Sequence, residues 1–218
     1  MAKIKIPCLE DVADIIRRVK ESTDPREVVN SLRKAAEQGN AEEQWNLGLC
    51  YEHGIGIEQD DVLAAEWLSK AVKQFCEVAE QGDAETQYRL GDLFTHRWLL
   101  KGAENARMEA DKWYHKAVEQ FRQAAEQGNA EAQCRLGDCY KHGKGVEQDY
   151  TKAVKWYRKA AEQGNVEAQW NLGLCYEHGI GIEKDIEKAL EWYRKAAKQG
   201  NVLANESLAR LACHIRQR

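Results

Sequence analysis

The chain has 218 residues, 31% of them charged, and a net charge of −4. Such mild acidity, with no basic stripe, argues against a protein that grips a nucleic-acid backbone, and no apolar run of about 18 residues is present to span a membrane. Two prolines, 16 glycines, abundant Ala, Glu, Lys, Gln and Leu, and no alternating strand pattern predict an all-α protein.

Residues 1–39 predict an N-terminal cap hairpin. Its helices are expected over Leu9–Glu21 and Pro25–Gln38, with Asp24-Pro25-Arg26-Glu27 opening the second as a capping box. The first repeat, 40–82, starts at Asn40, an N-cap that follows the helix-stopping Gly39. Leu47, Gly48 and Tyr51 share one face of its first helix. A glycine there lets a second helix approach closely, which must outweigh a propensity cost of about 1 kcal/mol. Gly54 stops the helix, "GIGIE" turns the chain, and Asp60 caps the second helix. Ala64, Trp67, Leu68 and Ala71 form its apolar stripe. Seven extra residues, "VKQFCEV", then precede "AEQG". Two helical turns bring the stripe back to nearly the same azimuth. The insertion therefore predicts a helix unbroken from near Asp61 to about Gln81, lengthened by about 10 Å.

The second repeat, 83–128, starts at Asp83 and carries its own seven-residue insertion, "VEQFRQA". "HRWLLKGAENARME" stands at His96–Glu109 in place of the glycine turn. Its first helix is expected to run through Leu100 before Gly102, and its second from near Ala106 to about Gln127. Phe75 and Phe121 should be buried against each other's helices or against the helix through Leu100, with Trp98, Leu99 and Leu100 as cover. The middle of the array should then be taller. Drift in repeat length and a platform for a partner both fit that expectation. The third and fourth repeats, 129–164 and 165–200, keep the plain pattern. Their N-caps are Asn129 and Asn165, their stops Gly143 and Gly179, and their second caps Asp149 and Asp185. The stripes are Ala153, Trp156, Tyr157, Ala160 and Ala189, Trp192, Tyr193, Ala196. The tail, 201–218, keeps Ala204 and Leu208 but has Ala209 for the glycine and Ala212 for the tyrosine. It predicts a single basic capping helix.

The repeats are close copies. "QWNLGLCYEHGIGIE" occurs at Gln44–Glu58 and again at Gln169–Glu183 without a mismatch. Gly48, Gly91, Gly137 and Gly173 follow one another at 43, 46 and 36 residues, so the unit is 36 residues with two longer versions. One hairpin cannot bury its apolar stripe alone, whereas stacked neighbours can. "AEAQCRLGDCYKHGKGVEQDYTKAVKWYRKAAEQG" at Ala130–Gly164 resembles the Sel-one-like repeat family, relatives of the tetratricopeptide repeat. The resemblance covers about residues 40–200. It implies a single repeat domain over 1–218, an all-α, right-handed α/α solenoid superhelix of about four hairpins between capping helices. It also implies a concave groove lined by the first helices, and scaffold or adaptor activity more often than catalysis.

No constellation points to chemistry. The cysteines are Cys8, Cys50, Cys76, Cys134, Cys139, Cys175 and Cys213. Cys134 and Cys139 lie about 7.5 Å apart along one helix axis and point in different directions, so they cannot bond. Cys50, Cys139 and Cys175 occupy one repeat position where the second unit has Leu93, which marks a small apolar slot. Reduced thiols are expected, in keeping with a reducing compartment. The start of the chain lacks the apolar core of a signal peptide. A cytoplasmic location is expected, with export by a specialised system left open. His53, His96, His142 and His178 each end a first helix, where the dipole favours them. At helix-packing spacings of about 8–10 Å they are too far apart to share a zinc ion. No Cys-x-x-Cys, His-Glu-x-x-His or phosphate loop is present. The turn glycines lead to a capping aspartate that would repel phosphate. No catalytic residue, cofactor or metal is therefore expected.

The internal copies show which first-helix positions are free to differ. These are Trp45/Tyr88/Cys134/Trp170, Asn46/Arg89/Arg135/Asn171, Leu49/Asp92/Asp138/Leu174 and Glu52/Thr95/Lys141/Glu177. In related helical hairpins such positions line the concave face. The candidate contact set is therefore Trp45, Asn46, Leu49, Tyr88, Arg89, Asp92, Arg135, Asp138, Lys141, Trp170, Asn171 and Leu174. Trp and Arg are common interface hot spots. Two bland alternatives stay open. The tryptophans could pack under a neighbouring helix, and the Arg and Asp residues could form an internal ion-pair ladder. The expected function is a non-enzymatic scaffold or adaptor that binds a protein or peptide, without nucleic acid and without membrane insertion. An idealised or designed array with no natural partner, and a small-ligand or cell-wall-type binder, are the rival readings.

Overall fold

The computed structural model describes residues 6–7, 9–95 and 103–216; the side chains of residues 9–12, 103–106 and 213–216 are outside that description. Every regular element among the described residues is an α-helix. α1 (Leu9–Lys20) and α2 (Pro25–Glu37) form the N-terminal pair. α3 (Ala41–His53) with α4 (Asp61–Glu80), and α5 (Ala84–Thr95) with α6 (Ala103–Glu126), follow. α7 (Ala130–His142) with α8 (Tyr150–Glu162), α9 (Val166–His178) with α10 (Ile186–Lys198), and the lone α11 (Val202–Arg216) complete the chain. The residues cluster into two compact units, Met1–Ala117 and Val118–Arg218, and each is described by itself.

Local chemistry sets the helix ends. Asp24 accepts the backbone N–H groups of Arg26 and Glu27 at 3.0 and 3.2 Å. Asn40 does the same for Glu42 and Glu43, and Asp83 accepts from Thr86. Asn129 and Asn165 cap α7 and α9. Asp60, Asp149 and Asp185 cap α4, α8 and α10. Each cap satisfies donors that a helix start otherwise leaves orphaned. Gly54, Gly143 and Gly179 end α3, α7 and α9 in the left-handed region, at φ of 62°, 67° and 72°. A side chain is disfavoured there. The backbone N–H of Asp60, Asp149 and Asp185 then bonds the carbonyl of Tyr51, Tyr140 and Tyr176, which pins each turn identically.

The insertions are helix, as expected. α4 has 20 residues and α6 has 24, against 13 in each of α8 and α10. α6 starts at Ala103, slightly before the expected Ala106. Phe75 and Phe121 are buried, at 0% and 6% exposure. Phe75 also has a partner that the sequence did not indicate. Its ring meets Trp45 of α3 at 6.2 Å, so the extended helix folds back over its own hairpin partner. The expected run of the first helix through Leu100, the cover by Trp98, Leu99 and Leu100, and His96 lie outside the described residues.

Within each hairpin the second helix lies against the Leu-Gly step of the first. A Cβ on Gly91, Gly137 or Gly173 would come within 2.6 Å of the ring of Tyr114, Tyr157 or Tyr193. On Gly48 it would meet Leu68 at 2.7 Å. The glycine is thus required by the close approach of a large side chain. Buried glutamines stitch each hairpin to the helix before it. Gln44, Gln87, Gln133 and Gln169 donate to the carbonyls of Ala36, Ala79, Ala125 and Ala161 at 3.0–3.2 Å. Gln74, Gln163 and Gln199 donate in turn to the side-chain oxygens of Gln44, Gln133 and Gln169. Arg33 and Arg158 donate to the hydroxyls of Tyr51 and Tyr176.

Candidate functional site

The first helices α3, α5, α7 and α9 carry all twelve candidate residues, but their exposure divides them. In the Met1–Ala117 unit, Trp45, Leu49 and Tyr88 are buried, at 2%, 0% and 8% exposure. Trp45 sits beneath Phe75, and Tyr88 packs edge-on against Tyr114 at 5.5 Å. In the Val118–Arg218 unit Asn171 is buried too. These four are packing residues in the structure, because neighbouring helices cover the positions that vary. Asn46, Arg89, Asp92, Arg135, Asp138, Lys141, Trp170 and Leu174 are partly exposed.

Most of the polar members are engaged inside the chain. Arg89 bonds Glu85 one turn earlier, at 3.1 Å, and Asn46 bonds Glu43. Arg135 lies 3.4–3.9 Å from Glu131, Asp138 and Glu167. Lys141 reaches Asn171 at 3.4 Å. The charged candidates therefore belong to an intramolecular network within each unit, the ion-pair alternative left open by the sequence.

A tyrosine on three of the four second helices organises that network. Tyr114 donates to Asp92 at 2.6 Å, and Tyr157 to Asp138 at 2.7 Å. Leu174 replaces the aspartate in the fourth hairpin, and Tyr193 donates instead to Glu177, one turn further on, at 2.7 Å. In the first hairpin both partners are apolar, Leu49 and Leu68. Sequence reasoning noted the Leu/Asp variation on the first helix without linking it to the Leu/Tyr variation on the second. The pairing holds in three of the four copies, Leu49 with Leu68, Asp92 with Tyr114 and Asp138 with Tyr157, and was the available signal. Burial pushes the Asp138 carboxyl above its ordinary range, against the bond from Tyr157 and the nearby Arg135 charge. Burial, then the Asp138 charge, pushes the Tyr157 hydroxyl up as well.

In the sequence Glu177 shows only as a variable position, and no motif marks Arg210. Arg210 of α11 grips Glu177 with two nitrogens, at 2.6 and 2.9 Å. The Glu177 side chain is 5% exposed. Burial pushes its carboxyl up, but the bonds from Arg210 and Tyr193 outweigh that and hold it below the usual glutamate range. Its exact counterpart in the duplicated segment, Glu52, is 30% exposed and beside His53. Identical sequence thus meets two environments. The same holds for Trp45, which is covered, and Trp170, which is half-exposed. The indole N–H of each is buried without an acceptor.

Nothing in the described residues assembles a reactive centre. No group of three or more His, Cys, Asp or Glu side chains among them could hold a metal ion. Cys50, Cys76, Cys134, Cys139 and Cys175 are free thiols. Burial pushes Cys50 and Cys175 up to about 11, so their thiols are poor nucleophiles. Cys8 and the side chain of Cys213 lie outside the described residues. A shallow cavity of about 660 Å³ between the start of α2 and the turn after α3 is lined by Pro25, Val29, Arg33, Gly54 and Ile57, among others. None of the candidate residues lines it. No described helix is long and apolar enough to cross a membrane.

Comparison with known proteins matches the chain to a family model, the Sel1 repeat, over residues 32–40, 44–74, 84–129, 130–165 and 166–201. No curated protein matches the chain. Among solved structures, a Sel1 repeat protein from Oxalobacter formigenes is similar at 33% identity, over 91% of this chain and 74% of that one, with a TM-score of 0.48. The protein c5321, a protective antigen present in uropathogenic Escherichia coli strains displaying an SLR fold, is 30% identical over 92% of this chain, with a TM-score of 0.43. This chain spans 47% of its length. Cysteine rich protein B of Helicobacter pylori is 23% identical over 66% of this chain and 96% of its own, with a TM-score of 0.43.

Proposed function

The chain belongs to the Sel1 repeat family, whose members generally serve as protein–protein interaction scaffolds, and from that premise we propose that it is a non-enzymatic adaptor that binds a protein or peptide through the first-helix face of its Val118–Arg218 unit. The observation that carries this reading is the unequal fate of the duplicated segment. Phe75 covers Trp45 in α3, while Trp170 and Leu174, one turn apart on α9, stay half-exposed. Trp is among the residue types most enriched where binding energy concentrates at interfaces. Lys141 and Arg135 of α7, which reach Asn171 and Glu167 of α9, are already oriented by intramolecular contacts. A partner would not need to order them, which lowers the cost of binding. The free, buried thiols suit a reducing compartment such as the cytoplasm.

The test is affinity capture from the source cell with the wild-type chain and with Trp170→Ala/Leu174→Ala. A partner retained by the wild type and lost from the double variant supports the reading, provided both chains melt alike. A partner retained equally by both would remove the α9 face from consideration.

A further inference from the structure

A second surface lies on the opposite helices of the same unit. Residues 1–117 hold 16 basic and 22 acidic side chains, whereas residues 118–218 hold 16 and 14. The surplus is concentrated on α8 and α10, which carry eight Lys or Arg against three Glu. Two of these cations are spent at helix starts, where Lys152 and Lys188 pair with Asp149 and Asp185. The others are exposed, and none of them is paired with a carboxylate among the described residues.

Two of these exposed cations are held in place without being neutralised. Lys159 lies over the ring of Trp156 at 4.3 Å, and Lys195 over that of Trp192 at 3.8 Å. A ring orients an ammonium through its quadrupole but leaves the full charge available. Arg194 is freer than its counterparts. Arg33 and Arg158 each donate to a tyrosine 18 residues further on. At that distance from Arg194 stands Ala212, so its guanidinium has no such acceptor. The face thus repeats a Trp-Arg-Lys group, Trp156-Arg158-Lys159 and Trp192-Arg194-Lys195, on consecutive hairpins.

We propose that the α8–α10 face binds a short acidic peptide segment, its carboxylates meeting the two Arg-Lys groups and its apolar side chains meeting the half-exposed indoles. Two things favour a short segment over a nucleic acid or a lipid surface. The local positive charge acts over a Debye length of only about 8 Å at physiological salt. The chain as a whole carries a net charge of −4, which disfavours a long polyanion.

The experiment is fluorescence anisotropy with a labelled oligoglutamate peptide and the full chain. The wild type should bind at low salt and weaken at least about tenfold between roughly 50 and 200 mM salt, as an exposed charge contact must. Lys155→Glu/Lys159→Glu/Arg194→Glu/Lys195→Glu should weaken binding by about tenfold or more, since opposed charges become like charges. Lys70→Glu/Lys73→Glu on α4 should change it by less than about twofold. Should the quadruple variant melt earlier than the wild type, Arg194→Gln/Lys198→Gln replaces it, with an expected loss of about threefold. The proposal is overturned by no binding at low salt, by unchanged affinity in the face variant, or by an equal loss in the α4 variant. Tighter binding to phosphatidylserine vesicles or to single-stranded RNA than to the peptide, at equal charge concentration, overturns it too.

Discussion

Replacing Glu177 by Ala should destabilise the chain far more than replacing Glu52, although both glutamates sit in the same 15-residue sequence. Glu177 is buried and accepts three bonds, two from Arg210 and one from Tyr193. Removing one member of a buried pair costs about 3–5 kcal/mol when the remaining charge stays buried. Arg210 is 49% exposed, so water can take back its guanidinium, and that part of the penalty shrinks. The Tyr193 hydroxyl is buried and would lose its acceptor, at about 1–3 kcal/mol. The sum expected for Glu177→Ala is about 2–4 kcal/mol. Glu52→Ala removes a side chain that is 30% exposed, and should cost at most about 1 kcal/mol. Glu177→Gln keeps an acceptor for Tyr193 and should fall between the two. Urea unfolding gives the stabilities, and hydrogen exchange on α11 locates the change. The pH dependence follows from the lowered carboxyl. Its stabilisation is fully present above the unfolded glutamate value of about 4.3 and is lost as pH falls through the lower folded value. Acid should therefore loosen α11 in the wild type, with little such effect in Glu177→Gln. Equal costs for the two alanine variants, or unchanged exchange on α11, would refute the reasoning.

Gly137→Ala places a methyl carbon 2.6 Å from the Tyr157 ring; overpacking of about 1–3 kcal/mol should cancel or exceed the propensity gain of about 1 kcal/mol, read as a lower or unchanged urea midpoint. Phe75→Ala empties a fully buried site against Trp45 and should cost about 3–5 kcal/mol in the same assay. Asp138→Asn keeps an acceptor for Tyr157 and removes a charge whose burial raises its pKa. It should be neutral or stabilising at pH 7, whereas Asp138→Ala should cost about 1–3 kcal/mol. A maleimide probe of the native chain should modify the half-buried Cys76 before the buried Cys50, Cys134, Cys139 and Cys175, with the order lost in denaturant.

The helix ends were legible because their causes are local. Asn129 before α7, Asp149 before α8 and Gly143 between them each act within four residues of themselves. The helical insertions were legible for a similar reason, since seven residues are nearly two turns. What lay beyond reach were contacts that depend on neighbouring helices. Trp45 and Trp170 have identical sequence neighbours through fifteen residues, so no local rule separates them. Phe75, thirty residues on, covers the first. Arg210 likewise decides the state of Glu177 from 33 residues away. The candidate Asp and Arg residues, for which an internal ion-pair ladder stayed open, are largely partnered within the chain, and only their exposure and bond geometry could show it.

The buried glutamines bear on how such a chain can grow. Gln133 and Gln169 face the same backbone oxygen of the preceding helix and take the same amide from their own second helix. Each joint presents the same plug and the same socket. A whole module of 36 residues, cut out or pasted in at the repeat period, would therefore leave these amides with the partners they have now. A cut out of phase would strand a buried amide opposite the wrong group, at about 1–3 kcal/mol for each polar atom left alone. Length can therefore change at the joints only by whole modules, whereas the seven-residue insertions of α4 and α6 lengthen a helix and leave the joints as they are.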